Sequence, residues 1–213
     1  MSNFTETATH LTGFQNLWGV KKRKIMKYEV LLDDSFYHIY NCGNNKENIF
    51  LENDNYDYFI GLVKKHITPV CEILAYCLLK NHFHLLVKTK ESIESKKISQ
   101  SFSNLFNSYS KSFNKKYDRT GSLFKDRFSR IKIENEEYLR NLVVYIQLNS
   151  THHEFVDDFK VYNYSSYKSY FSTKSSSLYR EYIINLFGEI SNFKYYHEEK
   201  QLKILNKLTL ELS

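Results

Sequence analysis

Two histidines separated by one phenylalanine, His82-Phe83-His84, sit inside the apolar run Cys77-Leu78-Leu79-Lys80-Asn81-His82-Phe83-His84-Leu85-Leu86-Val87. Side chains alternate faces along a strand, so both imidazoles project from one face, roughly 7 Å apart along the backbone. Phe83, Leu85 and Val87 then point the other way, into a core. Neutral imidazole is a favoured ligand for divalent metals, and two of them on a greasy strand suit a metal-binding edge. The plainer alternative is a pair of satisfied histidines on the solvent face of a sheet. Further along, Tyr145 and Asn149 lie one helical turn apart on the flank of an apolar stripe, Leu139, Leu142, Val143 and Ile146. In a chain with 18 tyrosines that pair is an ordinary boundary feature, unless its helix packs near the histidine face.

A second chemical signal is basic. From Lys111 to Lys132 eight cations (Lys111, Lys115, Lys116, Arg119, Lys125, Arg127, Arg130, Lys132) face two acids, Asp118 and Asp126, with Phe113, Tyr117, Phe124 and Phe128 interleaved. Cations for phosphates beside flat rings for unpaired bases suit single-stranded or hairpin nucleic acid. A solvated face over core aromatics accounts for the segment equally well. The net charge of +6 favours a polyanionic partner. Lys21-Lys22-Arg23-Lys24 belongs to a polar, irregular stretch, residues 1–27, that reads as a flexible basic arm or a solubilising tail.

The elements that would position these residues follow in order. Phe36 to Asn41 alternates like a strand and ends at Gly43-Asn44-Asn45; Tyr56 to His66 reads as a helix that Pro69 breaks. Cys71–Leu79 and His82–Lys88 are strands near enough to pair through Lys80-Asn81. Ile98, Phe102, Leu105, Phe106, Tyr109 and Phe113 mark a long helix. Ser122–Glu134 is extended, 136–149 helical, and the Ser-, Tyr- and Lys-rich tail carries one helix from Tyr179 to Phe187. The order β-α-β-β-α predicts an α+β, ferredoxin-like antiparallel sheet with helices packed on one face, plus a partly helical C-terminal extension. The domain plan is an arm (1–27), a central domain (28–155) that carries the candidate residues, and the extension (156–213). No apolar stretch is long enough to cross a membrane, no signal peptide is recognisable, and Cys42, Cys71 and Cys77 read as reduced cysteines of a cytoplasmic protein.

Several segments, taken together, resemble one family. They are Tyr37-His38-Ile39-Tyr40-Asn41-x-Gly43-Asn44-Asn45, Ala75-Tyr76-Cys77-Leu78-Leu79-x-Asn81-His82-Phe83-His84, Arg119-x-Gly121-Ser122-Leu123-Phe124-x-x-Arg127-Phe128, Tyr138-Leu139, Tyr145-Ile146-x-x-Asn149 and Tyr164-Ser165-Ser166-Tyr167. Their identity and order are similar to the single-tyrosine HUH transposases, that is, the insertion sequence 200-like enzymes and the REP-associated tyrosine transposases of bacteria. The resemblance spans about residues 28–200. The chain departs from the family at Lys80 and Ser150, where prolines are usual, and at Cys42, where an arginine is common.

The resemblance implies a metal-dependent enzyme that cleaves and rejoins single-stranded or hairpin DNA through a 5′-phosphotyrosine, in DNA transposition. It implies Tyr145 as nucleophile and His82, His84 and Asn149 as ligands of Mg²⁺ or Mn²⁺. By the charge pattern, Lys111, Lys115, Lys116, Arg119, Lys125, Arg127 and Arg130 are candidates to meet the DNA. A homodimer without membrane association is the expected assembly. Tyr109 and Tyr138 are the rival nucleophiles. Two other readings stand beside this one: a non-catalytic nucleic-acid-binding module on the same scaffold, and an unrelated metal-dependent hydrolase. The hydrolase would need a carboxylate cluster, which the sequence does not show, and Cys71 and Cys77 are spaced wrongly for a common zinc site.

Overall fold

The alternation of apolar residues from Phe36 to Ile133 resolves into strands and helices in the expected order. The computed structural model describes residues 29–211, with side chains as far as residue 204, so the basic arm expected at 1–27 lies outside the described residues. Strand β1 (Phe36–Cys42) leads through a short 3-10 turn to helix α1 (Asn53–His66), then β2 (Cys71–Leu79), β3 (His82–Thr89), α2 (Ser95–Lys116) and β4 (Ser129–Ile133). The strands form one antiparallel sheet in the order β2-β3-β1-β4. This is the ferredoxin-like α+β arrangement. Helix α3 (Glu136–Gln147), a single turn α4 (Asn149–His152), α5 (Arg180–Leu186) and α6 (Ile190–Glu211) complete the chain.

Local chemistry sets the boundaries. Helix α1 starts with a reciprocal cap between Glu52 and Asn55 and ends just before Pro69. The two-residue turn Lys80-Asn81 places Leu79 directly opposite His82. Gly43 cannot carry a side chain without moving the backbone, because a Cβ there would come within 2.0 Å of the Glu47 carbonyl oxygen. Its N–H donates to the Asn81 carbonyl at 2.8 Å, tying the end of β1 to the turn that precedes the histidines.

The sheet is buried on both sides. Phe83, Leu85 and Val87 face α1 and α2, where the Phe83 ring lies 5.2 Å from Phe59 and 5.5 Å from Phe106. The opposite face, with His82 and His84, is covered by α3 rather than by solvent. A solvent-facing pair of histidines is therefore excluded.

Three elements differ from the sequence expectation. Only Ser129–Ile133 of the stretch 122–134 is strand, because Leu123 and Lys125 fold back to hydrogen-bond Asn44 and Cys42 at the end of β1. The helix expected over 136–149 breaks at Leu148 (φ −85°, ψ −1°) and re-forms for one turn. Helix α6 has no counterpart among the elements the sequence pattern predicts. Its buried positions include His197 as well as Phe193 and Ile204, so a polar residue interrupts the apolar stripe that would have marked it.

The outer edge of β2 is closed by the returning chain. Tyr164 and Ser166 exchange backbone hydrogen bonds with Leu78 and Tyr76, Tyr179 donates to Ile73, and the Tyr170 hydroxyl takes the Leu74 carbonyl at the bulge. A bare edge strand would template pairing with another chain, and this one is covered. Behind it, Tyr167, Phe159, Phe187 and Phe193 enclose His197, which is fully buried, with Nδ1 on the Phe193 carbonyl at 2.7 Å.

Burial holds the His197 imidazole neutral and brings its pKa down to about 3. An unfolded histidine takes up its proton near pH 6.5, so between there and pH 3 the unfolded state binds more protons and folding weakens as pH falls. The slope approaches about 1.4 kcal/mol per pH unit. Urea unfolding at stepped pH should show this loss below pH 6.5, and His197→Phe should flatten it.

Candidate active site

Helix α3 meets the sheet because its stripe of Leu139, Leu142, Val143 and Ile146 has only the second face of β2 and β3 to cover. Asn135 fixes the entry, its side chain accepting the Tyr138 N–H at 2.7 Å. The turn α4 and His153, which follows it, then bring Asn149 and His153 to His82 and His152 to Tyr145.

Where β3 meets this helix end, four side chains predicted from the sequence come together. His82 and His84 are 5% and 2% exposed, Tyr145 4% and Asn149 not at all. The His82 and His84 rings stand 5.3 Å apart at 87°, and the Tyr145 ring lies 6.0 Å from His84. His82 Nδ1 lies 2.8 Å from Asn81 Oδ1, a contact in which the ring nitrogen donates. His82 Nε2 lies 3.2 Å from Asn149 Oδ1. An imidazole nitrogen and an amide oxygen this close are donor atoms that a shared cation could use, with His84 as the third.

The donor set fits a divalent metal. Among the described residues no three His, Cys, Asp or Glu side chains are grouped to hold one. A metal here would thus depend on the amide oxygen of Asn149 as well as the two imidazoles. Such a mixed nitrogen and oxygen set is open to Mn²⁺ and also to Zn²⁺ or Ni²⁺, since imidazole favours the later metals and the amide oxygen the harder ones. Cys77, opposite His84 in register, is a buried thiol whose pKa burial pushes up, and Cys71 is pushed up to about 12.

Burial also raises the Tyr145 phenol well above its ordinary pKa, and the Asn149 side chain pulls it partway back. Of the rivals, Tyr109 lies on the far side of the sheet, its hydroxyl on the Ile49 carbonyl. Tyr138, two turns before Tyr145, has its pKa pushed up to about 12 by burial.

The basic residues divide into two groups. Lys125 and Arg127 are exposed and, with Asp126, Tyr40, Asn41 and Cys42, line a small crevice that opens onto His82 and His84. Lys116 is instead paired with Glu52 and Asp54, and Arg119 with Glu47 and Asn114, at the junction of α1 and α2. Lys111 and Lys115 are exposed on α2. Arg130 lies opposite Ile39, on the other face of the sheet, 5.0 Å from the Phe128 ring.

Three histidines that sequence spacing did not single out join the cluster. His38 Nε2 is 2.8 Å from His84 Nδ1. His153 stands 4.9 Å from the His82 ring, and His152 6.1 Å from Tyr145. His152 and His153 follow Asn149 by three and four residues, a helical spacing that could have flagged them. Behind Tyr145, Gln147 donates to Ser166 Oγ at 2.8 Å, and the same oxygen accepts the Tyr76 N–H at 3.0 Å. One hydroxyl thereby ties α3 to the edge of β2.

A family model described as "Transposase IS200 like" matches residues 32–149. No curated protein sequence matches the chain. Among solved structures, a REP-associated tyrosine transposase bound to a REP hairpin aligns with a TM-score of 0.52 and 18% identity, covering 72% of this chain and 86% of that one. A Deinococcus radiodurans crystal structure under a provisional transposase name aligns at a TM-score of 0.38 and 10% identity, covering 55% and 92%.

Replacing Ser166 by alanine removes both of its side-chain partners and strands the buried Gln147 amide. The cost should be about 1–3 kcal/mol of folding stability, measured by chemical denaturation.

Proposed function

Because the chain belongs to the IS200-like transposase family, we propose that it cleaves and rejoins single-stranded or hairpin DNA through a 5′-phosphotyrosine at Tyr145, with Mg²⁺ or Mn²⁺ held by His82, His84 and Asn149. The observation that carries the reading is the meeting of these four side chains at one junction of β3 with the end of α3, beside a crevice lined by Lys125 and Arg127. The structural neighbour was solved on a REP hairpin, which makes a hairpin the first substrate to try.

In this reading Lys125 and Arg127 draw the phosphate backbone to the crevice. His82, His84 and Asn149 present lone pairs to the metal, which when bound polarises the scissile phosphodiester. The Tyr145 hydroxyl oxygen attacks phosphorus and gives up its proton, while the bond from phosphorus to the 3′ oxygen breaks. That oxygen leaves as a 3′-hydroxyl and the phosphate stays on Tyr145. Attack by a 3′-hydroxyl on the phosphotyrosine reverses the step and rejoins the strand. Asn149, one turn from Tyr145, links ligand set and nucleophile, so the two are positioned together.

The test is a covalent adduct on labelled hairpin DNA from the flanks of the gene, with Mn²⁺ or Mg²⁺. Wild type should form it only with metal, and Tyr145→Phe and His82→Ala should each lose it. An adduct that persists in Tyr145→Phe would move the nucleophile to Tyr138. Hairpin binding without any adduct would instead make the chain a non-catalytic DNA-binding module.

Binding itself should depend on salt through the crevice. Replacing both Lys125 and Arg127 by alanine should lower the slope of log Kd against log salt by roughly 1.5, the loss of two phosphate contacts. Titrations at several salt concentrations check this, and an unchanged slope would place the DNA elsewhere.

A further inference from the structure

We propose that His38 is a positioning residue for His84: it accepts the Nδ1 proton of His84 and so keeps Nε2 in the form that coordinates a metal. The inference rests on the metal site proposed above.

Register places His38 where it can do this. Strand β1 pairs Tyr40 with His84 and His38 with Leu86, so His38 lies diagonal to His84 on the same face. Its Nε2 is 2.8 Å from His84 Nδ1, with ring centroids 5.0 Å apart. Tyr40 packs against both rings, at 4.9 Å from His38 and 5.9 Å from His84, and holds the pair in place. His38 is itself only 4% exposed. A β-branched or aromatic side chain would fill such a position without bringing polar atoms into a covered face.

The chemistry of the contact has two settings. Two neutral imidazoles joined nitrogen to nitrogen share one proton, so one ring donates and the other accepts. If His84 donates from Nδ1, its Nε2 carries a lone pair. If His38 donates, the one proton of His84 sits on Nε2 and blocks coordination there. Only the first setting allows His84 to be a ligand.

The companion histidine is held in the same way. Asn81 Oδ1 lies 2.8 Å from His82 Nδ1 and fixes that proton, which turns Nε2 toward Asn149. Each histidine of the pair thus has its Nδ1 edge engaged by a second side chain, Asn81 for one and His38 for the other. Ligating histidines commonly donate their second N–H to such a partner, which sets both tautomer and ring orientation.

The test reads metal binding, with no DNA present. Mn²⁺ affinity of the purified full chain is measured by calorimetry and by the electron paramagnetic resonance signal of free Mn²⁺. The proteins are wild type, His84→Ala, His38→Phe and His38→Gln. Wild type should bind, and His84→Ala should lose binding. His38→Phe keeps a ring against Tyr40 but offers no acceptor, and should weaken binding roughly 10- to 100-fold. His38→Gln can place an oxygen near the original Nε2 position and should recover most of that loss. His38→Phe that binds like wild type, or His38→Gln that binds no better than His38→Phe, would overturn the role of His38 while leaving the metal site standing. Wild type that takes up no Mn²⁺ would overturn the metal site and this inference with it. A measurement on wild type alone guards against a variant that fails to fold: long-range ¹H–¹⁵N correlation of the metal-free chain should show His84 protonated on Nδ1. A proton on Nε2 would refute the proposal.

Discussion

Strand β3 is buried on both faces, and each face makes a different demand. On one side Phe83, Leu85 and Val87 enter a packed core of phenylalanines from α1 and α2, and that burial drives the sheet to form. On the other side the same alternation delivers His82 and His84 into the interface with α3. Because the side-chain period of a strand is two, a slip of one residue would exchange the two sets, burying imidazoles among phenylalanines. The hydrophobic core thereby fixes the register of the chemical face. Gly43 adds a local guard, since its close approach to Glu47 and its bond to Asn81 lock the turn before His82.

A covered polar face needs partners for its polar atoms, and here they come from far along the chain. Asn149 reaches His82 from the turn after α3, and His38 reaches His84 from β1. The placement of α3 depends in turn on the C-terminal segment, where the Ser166 hydroxyl holds Gln147 and the backbone of Tyr76 together. Tyr167, next in sequence, packs on Phe193 and His197 of α6. The extension is therefore continuous with the core, and through Ser166 it bears on the helix that carries Tyr145.

Strand β3 and helix α2 were the most legible elements, because His82–Thr89 keeps a period of two and Ile98–Phe113 a period of 3.6. Helix α6 was hidden because His197 occupies a core position, a substitution that composition cannot distinguish from a surface histidine. The motif residues His82, His84, Tyr145 and Asn149 were visible as types at spacings, and their meeting follows from α3 having one uncovered sheet face to bury. His38 was hidden for a different reason. Its partner is set by β1–β3 register, a pairing between strands more than forty residues apart that no local spacing encodes. The basic segment was uniform in sequence, yet packing divides it: Lys116 and Arg119 are paired with acids, while the loop that returns to Cys42 brings Lys125 and Arg127 to the crevice.

The burial that secures α3 also withholds its phenol. Tyr145 is 4% exposed and its pKa is raised, both of which oppose attack on a phosphodiester. Apolar packing holds α3 through Ile146 and on to Leu148, where the regular helix ends with φ −85° and ψ −1°. The segment that follows Tyr145 is held by the buried Leu148 and by the polar contacts of Asn149 and Gln147. A cation held by His82 and Asn149 would take the place of their direct contact, and a phosphate beside it would compete for the Asn149 side chain that Tyr145 now contacts. A bound metal and phosphate would thus share donor atoms with the contacts that hold this end of the helix.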